Sequence, residues 1–369
     1  MTIGVLKEPA FETRVSLLAE AVSTLTKKGI TVLVESDAGA KSSCNNADYE
    51  AAGAQIKARN EVLKNADIVL SIHSLDASES ALNEKKILIG VYQPLVNKPL
   101  MEGYAGNSIT TFSMDMLPRT TRAQAMDVLS SQANIAGYKA VLTAATSYSR
   151  YFPMFMTAAG SIAPAKVLIL GAGVAGLQAI ATAKRLGAVV EVFDTRPAVK
   201  EEVMSLGAKF VEVEGAADAS KAGGYAVEQT DEYKQKQQQR IAESVAKSDI
   251  IITTAQIPGK KAPILVTEEM LNTMRNGSVI IDLAAATGGN TPATKNNETV
   301  NYKGITIIGN SNLQATMPSA ASKLYGKNIL NFLQLIIDKE GNLNLNWEDE
   351  LVKGSCITHE GKIVHERMN

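Results

Sequence analysis

The sequence predicts an α/β protein with two doubly wound parallel sheets that are joined by long helices. Three observations support this fold class. Short apolar runs alternate with helical periodicity in the first third of the chain, the same alternation restarts near residue 166, and 369 residues are enough for two domains. Helices between successive strands imply parallel pairing through right-handed crossovers.

The composition excludes several classes of protein. The chain has 37 Lys and Arg against 38 Asp and Glu, a net charge of -1, and 5% aromatic residues. This balance provides no basic surface for nucleic acid or an anionic membrane, so we predict no nucleic-acid partner. Cys44 and Cys356 are too few for a disulfide framework and lack the spacing of a zinc site, which favours a reducing compartment and no metal.

No targeting or membrane segment is expected. Residues 1–8 contain no basic stretch followed by an apolar core, so the sequence predicts no signal peptide. The most apolar window, residues 167–183, is interrupted by glycines and is close to the lower length limit of a membrane span. We therefore expect a soluble chain.

The first domain begins with a short apolar strand, followed by a helix over Ser16–Lys28 in which apolar residues recur at helical spacing. The other strand candidates are short runs rich in β-branched residues. The predicted strands are Ile3–Leu6, Ile30–Val34, Ile68–Ile72, Ile87–Val91 and Ile109–Phe112.

A long Ala-rich segment then predicts one helix over Thr121–Thr146, long enough to join two domains. Beyond it, a second series of apolar runs separated by helices predicts the second sheet. Its strands are Lys166–Leu170, Val189–Phe193, Lys209–Val213, Asp249–Thr254, Ser278–Asp282 and Ile305–Gly309.

The C-terminal residues are expected to return to the first domain. The pattern is helical from Pro318 to Ile337, and two short strands are predicted around Leu343–Leu345 and Lys362–His365. This tail holds too little apolar surface to fold alone. We therefore assign residues 1–129 plus 319–369 to the first domain and residues 130–318 to the second.

One segment departs from the alternation. Residues 214–228 are small, polar and rich in glycine, and the Gln- and Lys-rich residues 229–247 show no apolar periodicity. A loop of this length is either a functional lid or disordered. Tyr225, the lone aromatic residue at its centre, favours a mobile lid over 214–228.

A glycine motif indicates a nucleotide site. It lies directly after the strand that ends at Leu170 and before a helix predicted over Leu177–Leu186, and it consists of Gly171, Ala172, Gly173, Val174, Ala175 and Gly176. In this context the glycines allow a tight turn and close approach to a pyrophosphate, and the helix N-terminus offers N–H groups to the phosphates. We therefore predict Rossmann-like sheets.

An acidic strand end favours NAD(H). Asp194 follows the second strand of this sheet, where a carboxylate accepts hydrogen bonds from the adenosine ribose and repels a 2′-phosphate. Arg196 is a counter-indication, since an arginine at this place can accept a 2′-phosphate. The alternative interpretation is that the glycines serve only packing and that Asp194 caps a turn.

No obvious acid or base accompanies the nucleotide motif. Most dehydrogenases need a proton-transfer residue, usually a histidine. The three histidines are His73, at the end of a first-domain strand, and His359 and His365, in the C-terminal strands. The sequence thus combines an NAD site with no evident proton-transfer residue.

A polar stripe is predicted on the long helix. Its members recur at helical spacing among apolar residues and are Gln124, Asp127, Ser130 or Ser131, and Asn134. Such a stripe either faces solvent or binds a flat amide, such as a nicotinamide carboxamide, in a cleft between the domains.

Several longer runs carry a family resemblance. They are Pro118–Arg119, Arg122–Asn134, Met156–Gly160, Gly176–Ala188 and Gly277–Ala284. These runs resemble the NAD(H)-binding component of proton-translocating NAD(P) transhydrogenase, which is domain I of its alpha subunit. The resemblance covers essentially the whole chain. The Arg-x-x-Arg-Ala-Gln run from Arg119 is the most specific segment. Alanine dehydrogenase is a related family that shares Lys7-Glu8 and Arg14-Val15.

The resemblance implies roles for single residues. Arg119, Asp127 and Ser130 would hold the nicotinamide carboxamide, and Gln124 would lie where NAD(H) meets the NADP(H) of a partner. Catalytic roles are implied for Arg119, Gln124 and Asp127. The implied contacts to the rest of the nucleotide are Gly171, Gly173, Val174, Ala175 and Gly176 at the pyrophosphate, Asp194 at the adenosine ribose, Tyr225 in the closing loop, and Thr195, Arg196 and Ala255.

The implied reaction is direct hydride transfer between NADH and NADP⁺ bound to a partner subunit. This reaction needs no acid or base, which accounts for the missing histidine. The resemblance also implies NADP(H)-binding and membrane-spanning partner subunits that couple the transfer to proton translocation. It further implies a homodimer, peripheral on the inner face of the cytoplasmic membrane.

Two other functions stay open. An alanine-type, NAD-dependent amino-acid dehydrogenase would use a lysine and a histidine at the ends of first-domain strands, which Ser71–His73 and Tyr92–Gln93 do not supply. A non-catalytic NAD-sensing module is the other possibility. Two positions depart from the transhydrogenase pattern, because Asn310 stands where a histidine is usual and Gln256 where an aliphatic residue is usual.

Overall fold

The computed structural model describes residues 1–79, 82, 85–213 and 230–368. The chain divides into two compact units: unit 1 comprises Met1–Gln132 and Ala315–Asn369, and unit 2 comprises Ala133–Gln314. Each unit contains a largely parallel sheet with helical connections, so the predicted α/β fold class is confirmed. None of the described helices combines the length and the hydropathy that a membrane crossing requires.

The first segment of unit 1 alternates strands and helices, as its apolar runs predict. The strands are β1 (Thr2–Val5), β2 (Thr31–Glu35), β3 (Gln55–Lys57), β4 (Ile68–Leu70), β5 (Ile87–Gly90) and β6 (Thr110–Ser113). The helices are α1 (Ala19–Thr26), α2 (Asn46–Ala51), α3 (Arg59–Asn65) and α4 (Lys98–Gly106). Strand β3 is a short addition that no apolar run marks in the sequence.

The long helix α5 spans Val128–Ser147, so the predicted start at Thr121 is wrong. Asp127 is the reason, because its φ of -74° and ψ of 91° are not helical. Its carboxylate accepts a hydrogen bond from the Ser130 N–H at 2.9 Å, as a residue at a helix N-terminus does. Residues Thr121–Met126 form a separate 3₁₀ helix.

Unit 2 carries the second series of elements. Its strands are β7 (Phe155–Thr157), β8 (Gly160–Ile162), β9 (Lys166–Leu170), β10 (Val189–Phe193), β11 (Lys209–Phe210), β12 (Ile250–Thr253), β13 (Val279–Asp282), β14 (Glu298–Tyr302) and β15 (Ile305–Gly309). Its helices are α6 (Val174–Arg185), α7 (Lys200–Ser205), α8 (Asp231–Val245) and α9 (Glu268–Leu271). The exposed hairpin β7–β8 and the antiparallel edge strand β14 do not follow from the apolar pattern.

Helix α8 occupies residues that the sequence pattern assigns to a long loop, so that prediction is wrong for Asp231–Val245. The Thr230 side chain caps the helix by accepting a hydrogen bond from the Tyr233 N–H. Tyr233, Ile241 and Val245 are buried at multiples of four residues, a sparse stripe among Gln and Lys. The predicted lid, residues 214–228 with Tyr225, lies outside the described residues.

The C-terminal segment adds α10 (Pro318–Ile336), α11 (Glu350–Ser355), β16 (Cys356–His359) and β17 (Lys362–Ile363) to unit 1. Strand β16 pairs antiparallel with β6. The predicted strand around Leu343–Leu345 is wrong, because Leu343 forms only an isolated bridge with Ile337.

The two large sheets arrange their first five strands in the same order and differ at the far edge. Unit 1 runs β3-β2-β1-β4-β5-β6-β16-β17, and unit 2 runs β11-β10-β9-β12-β13-β15-β14. In each sheet the order reverses beside the strand that comes first in it, between β1 and β4 in unit 1 and between β9 and β12 in unit 2. Open α/β sheets bind ligands at this switch point, outside the carboxyl ends of the strands.

Burial on both faces accounts for the apolar strands. In β9, Val167 and Ile169 join one hydrophobic core of unit 2, whereas Leu168 and Leu170 join the core on the other face. Because side chains alternate along a strand, a sheet covered on both sides requires an uninterrupted apolar run.

Candidate nucleotide-binding site

The carboxyl ends of β9 and β12 lie side by side at the switch point of unit 2. The strands are parallel neighbours, with Leu170 paired to Thr253. The chain leaves β9 through Gly171–Gly176, and Ala255 follows β12. The Thr254 hydroxyl donates to the Gly171 carbonyl oxygen at 3.2 Å and so joins the two loops. The predicted glycine motif therefore lies where a doubly wound sheet binds its ligand.

Each glycine of the motif has a different structural reason. Gly171 has a φ of +107°, a conformation that side chains rarely adopt. A Cβ at Gly176 would overlap the Gly171 carbonyl oxygen, so only glycine permits this packing of helix against loop. A Cβ at Gly173 would meet nothing within 4 Å. Backbone conformation thus explains Gly171 and close packing explains Gly176, whereas Gly173 faces open space.

The N-terminus of α6 offers backbone N–H donors at the end of the glycine loop. Gly173 is the cap residue and has no side chain to bind the first N–H groups. The N–H groups of Val174, Ala175 and Gly176 have no partner within the helix, because the first turn of any α-helix lacks one. Together with the positive end of the helix dipole, these donors form a site suited to a phosphate.

The predicted ribose acceptor, Asp194, is engaged within the protein. Its carboxylate accepts hydrogen bonds from the Ala172 N–H at 2.7 Å and from the Arg196 N–H at 2.8 Å. The Arg196 guanidinium donates to both carboxylate oxygens, and this hydrogen bonding raises the pKa of Arg196. Thr195 lies between them and is half-buried. The Asp-x-Arg spacing is the sequence signal for this ion pair.

Ala255 is held by a residue that the sequence pattern does not single out. The Asn290 side chain is fully buried, and it accepts from the Ala255 N–H at 3.2 Å and donates to the Ala255 carbonyl at 2.9 Å. Asp282, also fully buried, accepts from the Asn290 N–H at 2.6 Å. Asp282 could be found from the sequence, because it is a polar residue at the end of an apolar strand. Asn290 could not, because its partners are backbone atoms and leave no sequence pattern.

The two positions that depart from the transhydrogenase pattern make local contacts. Gln256 donates through Nε2 to the Leu283 carbonyl at 2.8 Å, which joins the loops after β12 and β13. The Asn310 side chain accepts from the Asn312 N–H at 2.8 Å. Each amide therefore stabilises a loop at the carboxyl edge of the sheet.

The residues that the resemblance assigns to the nicotinamide lie in unit 1. Arg119 and Gln124 are exposed, whereas Asp127 and Ser130 are half-buried. Ser130 donates through its hydroxyl to the Asp127 carboxylate at 2.6 Å, so these two side chains form one polar pair at the start of α5. Because Gln124 belongs to the preceding 3₁₀ helix, the predicted single helical stripe from Gln124 to Asn134 is wrong.

The switch point of unit 1 has a different chemistry. The buried Glu8 follows β1 and accepts hydrogen bonds from the N–H groups of Ile72 at 2.5 Å and His73 at 3.0 Å. Burial raises the pKa of Glu8 to about 7, although both hydrogen bonds oppose this. Burial acts on Glu12 in the same sense, but hydrogen bonds from Arg14 and His73 outweigh it and hold the pKa of Glu12 well below its ordinary value.

A glycine loop and an open helix N-terminus at the switch point of a parallel sheet define a dinucleotide-binding α/β protein. Comparison with known families gives a narrower assignment. Residues 4–136 match the family described as alanine dehydrogenase/PNT, N-terminal domain, and residues 140–366 match its C-terminal domain. The chain therefore belongs to the alanine dehydrogenase/PNT family.

Within this family, two transhydrogenases are more similar to the chain than an alanine dehydrogenase is. The chain is 45% identical to the first part of NAD(P) transhydrogenase subunit alpha of Rhodospirillum rubrum, over 96% of this chain and 95% of that protein. A crystal structure of transhydrogenase from Sinorhizobium meliloti matches with a TM-score of 0.90 and 44% identity, covering 99% of this chain and 100% of that one. Alanine dehydrogenase of Mycolicibacterium smegmatis is only 24% identical, over 96% of this chain and 92% of that protein. The resemblance noted in the sequence is confirmed.

Proposed function

We propose that this chain is the NAD(H)-binding subunit of an NAD(P) transhydrogenase, in which a hydride passes directly between NADH and NADP⁺ bound to a partner subunit. The observation that carries the proposal is the glycine loop of unit 2, with open space at Gly173, in a chain that resembles transhydrogenase alpha subunits over nearly its whole length. The substrates are NAD(H) on this chain and NADP(H) on the partner.

The proposed contacts follow the chemistry of each portion of the nucleotide. The N–H groups of Val174, Ala175 and Gly176 bind the pyrophosphate, as helix N-termini bind anions. Asp194 accepts from the adenosine ribose, with Thr195, Arg196 and Ala255 beside the nucleotide. Since the four lone-pair positions of Asp194 are all used by Ala172 and Arg196, the ribose must displace some of the guanidinium contacts.

For the nicotinamide we propose Arg119, Asp127 and Ser130 as the carboxamide contacts, with Gln124 facing the NADP(H) of the partner. In the reaction the C4–H bond of NADH breaks, its electron pair leaves with the hydrogen, and a C4–H bond forms on NADP⁺. The products are NAD⁺ and NADPH, and no proton is taken up or released. The side chains of this chain therefore need only to bind and orient, and no acid or base is required.

The strand ends of unit 1 offer no lysine for an amino-acid dehydrogenase, since Ile68–His73 and Ile87–Gln93 contain none. That reaction needs a proton acceptor beside the carbon that loses the hydride. At the strand ends, the Ser71 hydroxyl lies 3.3 Å from that of the buried Tyr92, and His73 is hydrogen-bonded to Glu12. We expect no NADH formation when L-alanine and NAD⁺ are added, and steady NADH formation would favour the dehydrogenase instead.

We also propose a homodimer whose contact includes the hairpin β7–β8. This hairpin and the residue before it expose large apolar side chains, which mark interaction surfaces. They are Met154, Phe155, Met156 and Ile162.

Membrane-spanning partner subunits would carry out proton translocation, with this chain peripheral at the cytoplasmic face of the membrane.

An isotope experiment tests the proposed reaction. The purified chain is mixed with the NADP(H)-binding partner, NADP⁺, and NADH that carries deuterium at the transferred C4 position. We expect the deuterium in NADPH, detected by mass spectrometry, and none in water. Transfer of label to water, or no transfer between two folded proteins, would contradict direct hydride exchange.

A further inference from the structure

The Asn290 side chain pairs with both backbone groups of one residue, Ala255, at the switch point of unit 2. Its Oδ1 accepts from the Ala255 N–H, and its Nδ2 donates to the carbonyls of Ala255 at 2.9 Å and Pro263 at 2.8 Å. The side chain is fully buried, so water cannot replace these bonds easily. Asn290 therefore ties both ends of the loop 255–263 to itself, in the way a neighbouring strand would.

Asn290 is itself held firmly. Its N–H donates to the buried Asp282 carboxylate, and its carbonyl accepts from the N–H groups of Leu265 and Val266 at 2.9 and 3.1 Å. Asp282 also accepts from the Thr294 hydroxyl at 2.7 Å. Fixed on both sides, the amide is a rigid support rather than an adaptable contact.

The supported loop borders the glycine motif. An ideal Cβ at Gly171 would lie 3.8 Å from the Ala255 nitrogen, and Thr254 donates to the carbonyls of Leu170 and Gly171. The position of Ala255 thus determines the width of the crevice between the two loops. A shift of this loop changes the space for a nucleotide without altering any glycine.

We propose that Asn290 is a positioning residue that sets the Ala255 side of the nucleotide crevice, and that nucleotide affinity depends on its Nδ2 donor. This inference rests on the proposed function, from which it takes NADH as the nucleotide, and it deepens the description of that same site. Among the common side chains only asparagine fits, because aspartate lacks the donor and glutamine is longer by one methylene.

The variant Asn290→Asp isolates the donor. At pH 8 its carboxylate faces the carbonyl oxygens of Ala255 and Pro263, and we expect the Kd for NADH to rise about tenfold or more, since buried acceptors lose their partner. Lowering the pH to 6 protonates the buried carboxyl, restores one donor, and should return the Kd most of the way to the wild-type value. A defect that does not depend on the charge of the new carboxylate would not be reversed in this way.

A matched control is Asn301→Asp. Asn301 is exposed and uses only its oxygen, which accepts from the Gly304 N–H. The same chemical change there keeps the bond, so we expect no change of Kd at either pH. If Asn290→Asp binds NADH as tightly as the wild type at pH 8, the inference is overturned.

A second readout does not depend on nucleotide binding. Lys260 and Lys261 are exposed in the supported loop, so trypsin reports its opening. We expect cleavage there to be several-fold faster in Asn290→Asp and in the milder Asn290→Ser than in Asn301→Asp. If the wild type does not bind NADH, the proposed function fails, and the trypsin comparison still decides whether Asn290 supports the loop. Equal cleavage rates would overturn that role.

Discussion

The large sheets of units 1 and 2 arrange their first five strands in the same order, but the loop after the first strand differs between them. In unit 2 this loop is Gly171–Gly176, it leads into an uncapped helix N-terminus, and Gly173 faces open space. In unit 1 the loop after β1 contains Glu8, whose carboxylate is buried and bonded to the N–H groups after β4. The shared topology determines where a ligand site can lie, and the loop determines whether one exists there.

The charged groups at the unit 1 switch point are largely satisfied by one another. A cavity of about 340 Å³ remains there, lined among others by Glu35, Arg59 and Glu79. Arg59 forms ion pairs with both carboxylates, at 3.1 and 3.0 Å. Backbone donors and a helix dipole suit a phosphate, whereas paired carboxylates repel one. We therefore expect the dinucleotide in unit 2.

The largest effect is expected from Gly176→Ala. The added methyl group would overlap the Gly171 carbonyl oxygen, so the loop or the helix must move. We expect the free energy of unfolding to fall by about 3 kcal/mol and NADH binding to be lost. Urea unfolding and an NADH titration measure both. Unfolding like the wild type together with an unchanged Kd would refute the role of close packing in this loop.

The next effect concerns the pH dependence of unit 1. The pKa of Glu8 is raised by burial from 4.5 to about 7, so the folded state favours the protonated form. The stabilisation is complete below the unfolded pKa and is lost as the pH rises through about 7. Between pH 5 and 8 the free energy of unfolding of the wild type should fall by up to about 3 kcal/mol more than that of Glu8→Gln. Parallel pH profiles for the two proteins would contradict this.

A smaller effect separates two roles of Asp127. Asparagine caps a helix as well as aspartate does, so Asp127→Asn should leave the free energy of unfolding within about 0.5 kcal/mol of the wild type. If Asp127 also binds the carboxamide, loss of its charge should lower the transhydrogenation rate several-fold. Asp127→Ala, which removes the cap, should cost about 1 kcal/mol of stability as well. An unchanged rate in Asp127→Asn would leave Asp127 as a helix cap only.

The sequence predicts best some of the strands that lie between two others in a sheet. The bounds of β9, β10 and β15 agree with the predicted strands to the residue, because their apolar runs end at polar residues or glycine. Strand β14 and the hairpin β7–β8 escape prediction because they lie at an edge or in solvent and carry no apolar run. Helix α8 escapes because its three buried apolar residues are too few to show a period by eye.

The site was predictable only where chemistry leaves a sequence pattern. The glycine motif and Asp194 are local signals, and both lie at the predicted strand ends. The pairing of Asn290 with Ala255 joins residues that are 35 positions apart through backbone atoms, so no spacing reveals it. Asp127 shows the opposite error. Its spacing suggests a polar stripe along one long helix, whereas its side chain caps the start of α5.

The most direct test of the comparison is a calorimetric titration of NADH into the wild type, Gly173→Ala and Gly106→Ala. A Cβ at Gly173 or at Gly106 meets nothing within 4 Å, so neither change creates a clash. Because alanine is a poorer N-cap than glycine, Gly173→Ala should still cost about 1 kcal/mol of stability or less, which leaves the chain folded. If a pyrophosphate occupies the space at Gly173, the Kd of Gly173→Ala should rise at least about tenfold, while Gly106→Ala in unit 1 binds like the wild type. Unchanged binding by Gly173→Ala would contradict the assignment of the nucleotide to the switch point of unit 2.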